Sequence, residues 1–181
     1  MIKVAIVDDN QINRITIKEK LAPYQDVFLV FEATNGEDFF EKLESLPKED
    51  YPQVVLMDLE MPILDGIVTI ASASIKFPEI KYIVLTIYED DDKIFEAIRA
   101  GASGYLLKED KAVNIVEAMK NVVQFDGIPM SPAIARRAME LLRDTPKPTA
   151  SMQNAIIDHQ LSDREMEILR EEVKGYNHHV I

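Results

Sequence analysis

Three aspartates stand where apolar runs stop. "IKVAIVDD" (2–9) closes on Asp8 and Asp9, and "VVLMDLEMPILDG" (54–66) carries Asp58 directly after four apolar residues. Two more runs end on a polar residue, "KYIVLT" at Thr86 and "GYLLK" at Lys108. Carboxylates gathered in one place repel one another and stay ionised near neutral pH only beside a cation. Mg²⁺ suits such a set, because it takes hard oxygen ligands, keeps several waters and binds through one or two carboxylates plus phosphate oxygens. A carboxylate is also a competent nucleophile toward phosphorus, giving an aspartyl phosphate. The resulting phosphoryl dianion calls for positive charge and hydrogen-bond donors. Mg²⁺, a lysine and a threonine hydroxyl would supply them.

Whether these residues meet depends on the elements that carry them. Apolar runs rich in β-formers lie at 2–7, 27–33, 53–57, 81–86 and 104–108. Segments with helical spacing separate them. Residues 11–22 carry a stripe of Ile12, Ile15 and Leu21. Residues 36–46 carry Phe39, Phe40, Leu43 and Leu46. Residues 66–76 carry Ile67, Ile70, Ala71 and Ile75, "DDKIFEAIRAGA" runs to Gly101, and 111–124 carry Val113, Val116, Met119 and Val123. Continuous apolar strands alternating with amphipathic helices predict a parallel sheet covered on both faces, a (βα)5 doubly wound α/β domain. In such sheets ligands bind beyond the carboxyl ends of the strands. Asp8, Asp9, Asp58, Thr86 and Lys108 all fall on that rim.

Composition narrows the function. The chain has no cysteine, which excludes disulfides, thiolate metal sites and cysteine nucleophiles. No apolar run approaches the roughly 20 residues of a membrane span, and the start lacks a signal peptide's features, so the expected setting is the cytoplasm. The net charge is −12, of which −10 falls on residues 1–124 and −2 on 125–181. Neither part is the basic surface that nucleic acid requires.

After residue 124 the texture changes. "QFDGIPMSP" is a break, and 131–144 reads as a helix with Ser131 as N-cap and Pro132 at its first position. Residues 145–160 have the composition of a linker. In "LSDREMEIL" Ser162 and Glu165 form a capping box that opens a further helix. The expected division is thus 1–124, a linker with one helix over 125–160, and a helical start over 161–181.

The motifs "VDD" (7–9), "MDLEMPILDG" (57–66), "LT" (85–86) and "GYLLK" (104–108) together resemble the receiver domain of bacterial two-component response regulators. The resemblance implies a flavodoxin-like sheet of order 2-1-3-4-5. It makes Asp58 the phosphoacceptor, served by a sensor histidine kinase. It gives Mg²⁺ to Asp9 directly and to Asp8 mainly through water, with Asp58 and the backbone carbonyl of Glu60 as further ligands. It pairs Lys108 with Asp58 or its phosphoryl group, moves Thr86 toward the phosphoryl oxygens, and makes Tyr105 the aromatic switch. Pro62 and Gly66 would shape the loop after the acceptor. Two positions depart from the common pattern: Ile87 stands where a small residue is frequent, and Glu109 where proline is. The tail resembles the linker and opening of the LuxR-type helix-turn-helix of the NarL/FixJ subfamily, without its recognition helix. A longer natural protein is therefore expected, one that pairs on phosphorylation and binds DNA only through the complete module.

Other readings compete. Asp8 and Asp9 would serve as helix caps in isolation. "YEDDDK" (88–93) reads as a solvated helix start, and Met57 and Met61 as packing. His159, His178 and His179 carry no assigned role. A Mg²⁺-dependent phosphohydrolase with Glu60 as general acid, and a binding module that takes no phosphate, are the alternative functions.

Overall fold

The computed structural model describes residues 1–87 and 90–144. Five parallel strands, β1 (Ile2–Val7), β2 (Val27–Ala33), β3 (Val54–Met57), β4 (Lys81–Thr86) and β5 (Gly104–Leu107), form one sheet in the order β2-β1-β3-β4-β5. Helices α1 (Gln11–Leu21), α2 (Gly36–Glu44), α3 (Gly66–Lys76), α4 (Asp91–Ala100) and α5 (Ala112–Phe125) connect and cover them, and α6 (Pro132–Asp144) follows. This is the expected doubly wound architecture and strand order. Residues Met1–Leu142 make one compact unit. The capping-box segment at 161–181 and its histidines lie outside the described residues, as do the linker residues 145–160 and Tyr88 and Glu89 of the acidic run.

The strand sequences explain the layering. β3 and β5 are buried at every residue, as β1 and β4 are at all but one, so no polar alternation is possible. Their side chains divide between two cores. One joins Val7, Val55, Met57 and Val84 to Phe39, Leu43, Ile70, Ile94 and Ala97 of α2, α3 and α4. The other joins Ile6, Leu56, Ile83 and Leu85 to Ile17 and Leu21 of α1 and to Ile115, Val116 and Met119 of α5.

Several stripe residues lie elsewhere than their spacing predicts. Ile12 and Ile15 are exposed, and Ile17 takes the inward position with Leu21. At about 100° per residue, Ile12 and Leu21 stand half a turn apart, so one narrow stripe cannot hold both. Ile75 and Val113 also face outward, while Ile70, Val116 and Met119 are buried.

The segment after α5 adds to the sheet edge. Tyr105 pairs with Met130 as a parallel bridge. Tyr105 N donates to Pro129 O at 2.9 Å, and Ser131 N donates to Tyr105 O at 3.0 Å. A Cβ on Gly104 would come within 2.8 Å of Pro129 O, so this close approach needs glycine. Ser131 does more than begin α6: its hydroxyl accepts from Leu107 N at 3.1 Å and bonds the Asp110 carboxylate. Beyond it, Ile134 of α6 is fully buried in the α2–α4 core beside Tyr105, and Arg137 pairs with Asp91 of α4 at 3.6 Å.

Candidate functional site

Asp8, Asp58 and Lys108 are held by the sheet ladder running one step past their strands, and Thr86 is the last residue of β4. Asp8 N donates to Ala33 O at 3.1 Å, Asp58 N to Val7 O at 2.8 Å, and Lys108 N to Thr86 O at 2.8 Å. Backbone bonds therefore fix where these side chains start, and the order β1-β3-β4-β5 lays them side by side. Carboxylate oxygens of Asp8, Asp9 and Asp58 lie within 4.8 Å of one another. Asp8 and Asp58 are buried and Asp9 is open to solvent.

Lys108 sits between the two buried acids. Its Nζ donates to Asp58 Oδ2 at 2.7 Å and lies 2.6 Å from Asp8 Oδ2. The second approach is an ion pair without hydrogen-bond geometry, leaving that buried Asp8 oxygen short of a directed donor. The remaining oxygens are spoken for. Asp8 Oδ1 accepts from Asn10 N at 2.9 Å and Asn13 Nδ2 at 3.2 Å, and Asp58 Oδ1 accepts from Leu59 N at 2.9 Å. Three carboxylates against one ammonium leave a charge of −2. Burial lifts the Asp58 carboxyl above the usual carboxylate range. The hydrogen bond and charge of Lys108 pull it down, Asp8 pushes it up again, and the Leu59 N–H opposes; the balance stays upward.

The loop after Asp58 is tightly wound. Leu64 N donates to Pro62 O at 2.8 Å across Ile63, whose φ is 70°. Asp65 then caps α3 by accepting from Val68 N at 2.9 Å. Gly66 N donates to Leu59 O at 2.9 Å, and a Cβ on Gly66 would stand 2.0 Å from the carbonyl oxygen of Asp58. Only glycine lets α3 begin this close to Asp58. Glu60, Pro62, Asp65 and Lys93 line a cavity of about 430 Å³ with Asp9. The Glu60 side chain is taken up by an ion pair with Lys93 of α4.

Thr86 is fully buried at the end of β4, and Tyr105 lies inward in the core. Ile87 is 68% exposed just beyond Thr86. The cap of α1 is Asn10, which accepts from Ile12 N at 2.8 Å, so the neighbouring acids are free of that task. Sequence spacing does not point to four contacts at this rim: the Lys93–Glu60 pair, Asp110 with Ser131, and the reach of Arg14 and Lys20 from α1 to backbone carbonyls.

Residues 4–120 match the response regulator receiver domain. The chain belongs to that family. The chain is 34% identical over 170 residues to the transcriptional regulatory protein LiaR of Bacillus subtilis, covering 93% of this chain and 75% of that protein. It is 32% identical over 180 residues to the response regulator protein VraR of Staphylococcus saprophyticus, covering 99% and 79%. A solved two-component response regulator of the LuxR family from Aurantimonas sp. SI85-9A1 shares its fold, with a TM-score of 0.71 over 80% of this chain and 99% of that one at 24% identity. The chain is a two-component response regulator, and the relatives it matches are named as regulators, not as hydrolases. Among the described residues no helix is long and apolar enough to cross a membrane.

Proposed function

We propose that Asp58 accepts a phosphoryl group from the phosphohistidine of a sensor kinase, and that the receiver passes the change to its linker. The observation that carries this reading is Lys108 Nζ seated 2.7 Å from Asp58 and 2.6 Å from Asp8, in a group that still bears −2. That residual charge, an all-oxygen donor set and an Asp8 oxygen lacking a directed donor fit a divalent cation. Asp8, Asp9, Asp58 and the Glu60 carbonyl would hold Mg²⁺, which would supply positive charge to the transferring phosphoryl oxygens.

The chain's own residues do the rest. An Asp58 carboxylate oxygen attacks phosphorus while the bond from phosphorus to the donor breaks. With acetyl phosphate, acetate leaves with the bonding electrons and no proton need move. Lys108 stays with the new phosphoryl oxygens, and the Thr86 hydroxyl turns to donate to them. Tyr105 shares a core with Ile134 and bonds the linker through both its backbone groups. A shift at Thr86 and Tyr105 thus reaches residues 129–131 and α6 directly. These cover the α4–β5 side, so phosphorylation would shift a standing equilibrium between linker docked and linker released. Release would permit pairing of two chains and, in a protein with a complete helix-turn-helix, DNA binding. The setting is the cytoplasm, where kinase and acyl phosphates are available.

The test is the mass of the intact protein after acetyl phosphate and Mg²⁺. A single phosphoryl addition is expected, absent in Asp58→Ala and absent without Mg²⁺. Addition to Asp58→Ala would overturn the assignment.

A further inference from the structure

Helix α1 sends two cations to backbone carbonyls of the site. Arg14 Nη1 donates to Asp8 O at 2.7 Å and to Asp9 O at 3.1 Å. Its Nε is anchored by Glu32 Oε2 of β2 at 3.4 Å, and the Arg14 side chain is only 14% exposed. Glu32 is fixed in turn by Lys18 at 2.7 Å. Lys20 Nζ donates to Lys108 O at 2.7 Å and to Asp110 O at 2.8 Å. The two residues that neither touch phosphate nor metal therefore hold the main chain of those that would: Arg14 the acid loop, Lys20 the turn carrying the site's ammonium.

From this we infer that Arg14 and Lys20 are positioning residues for phosphoryl transfer, with divided duties. Arg14 sets the spacing of Asp8 and Asp9 for the cation. Lys20 sets the height of Lys108 over Asp58. Both are donors only, so each carbonyl they hold is an acceptor tied to α1. Transfer is sensitive to such placement, because a misplacement of about 1 Å can lower a rate by around 100-fold. The inference rests on the phosphoacceptor reading above.

The experiment uses the full chain with Lys20→Met, Lys20→Arg and Arg14→Met. The rate of phosphoryl addition from acetyl phosphate is followed as Mg²⁺ is varied, and Mg²⁺ affinity is measured by calorimetry. For Lys20→Met the expected result is a rate at saturating Mg²⁺ lowered about tenfold, with Mg²⁺ affinity within about twofold of the parent and recovery in Lys20→Arg. For Arg14→Met it is Mg²⁺ affinity weakened about fivefold or more, with the rate recovering at high Mg²⁺. A merely structural staple would lower both quantities together, in step with the unfolded fraction seen by circular dichroism, and that pattern overturns the inference. So does a parent-like rate in Lys20→Met. If the parent itself takes no phosphoryl group, the phosphoacceptor reading fails. The clamp is then still judged by amide exchange at Leu107, Lys108 and Asp110, expected to quicken in Lys20→Met; unchanged protection overturns it.

Discussion

Removing Lys108 should unmask the repulsion it now masks. In Lys108→Met the acids Asp8 and Asp58 keep their burial and lose the ammonium at 2.6 and 2.7 Å. At an effective dielectric near 20, each contact is worth about 6 kcal/mol of gross attraction. Most of that is offset, since a lysine side chain only 11% exposed no longer has to be desolvated and methionine refills the space. A net loss of about 2–4 kcal/mol at neutral pH in EDTA is expected, or roughly 6–12 °C in Tm for a domain of this size. The pH dependence fixes the cause. The folded-state pKa of Asp58 is already raised, and losing Lys108 removes the two strongest influences that lower it. A raised carboxyl makes the folded state bind protons more tightly than the unfolded chain. The deficit of the variant is therefore full at neutral pH and shrinks as pH falls through its folded pKa toward the unfolded value of about 4. Millimolar Mg²⁺ should narrow the gap as well, because a net −3 cluster gains more from a divalent cation than a net −2 one. Urea titrations at neutral pH and at about pH 5, with EDTA or Mg²⁺, test this. A loss under about 1 kcal/mol in EDTA, or one that neither acid nor Mg²⁺ reduces, refutes the reasoning.

Three other substitutions read separate parts of the same apparatus. Gly66→Ala drives a Cβ to 2.0 Å from the Asp58 carbonyl oxygen, a backbone atom that cannot swing aside, so about 2–4 kcal/mol of stability and most phosphoryl addition should be lost; a parent-like melt would mean α3 can retreat from Asp58. Ile63→Gly relieves a β-branched residue at φ 70° in a three-residue turn, at an exposed position, and should raise stability by about 0.5–1 kcal/mol in urea titration, whereas a loss would show the turn is not strained. Ile134→Ala empties a fully buried position where α6 meets the core, and amide exchange at Tyr105 and Ser131 should quicken by about tenfold or more; if only global melting changes, α6 is not a separable unit.

The cluster of the candidate site was legible in the sequence because it breaks a rule. Asp8, Asp58, Thr86 and Lys108 interrupt runs that otherwise must be apolar to lie inside a parallel sheet, so each declares both its strand and the end of that strand. The sheet order adds nothing to their identity; it only brings them together. The helix faces were less legible. Helix α1 has apolar residues around most of its circumference, and spacing alone cannot choose between Ile12 with Ile15 and Ile17 with Leu21. Only the pair that meets Ile115 and Met119 is buried. For α6 the cap at Ser131 and Pro132 marks where a helix begins, but a helix start does not say what the helix packs against.

What the sequence conceals most completely is the mounting of the site. Arg14 and Lys20 donate to carbonyl oxygens, and the Ser131 hydroxyl accepts from Leu107 N. A carbonyl or an amide is present at almost every position, so such contacts leave no mark on the partner's residue type. A basic residue on a helix reads as solvated by default. The same reasoning predicts where substitutions will mislead. Changes to the acids announce themselves as lost chemistry. Changes to α1 or to residues 129–131 would look like surface edits and still move the groups of the candidate site, because the main chain of Asp8, Asp9, Tyr105 and Lys108 is what those residues hold.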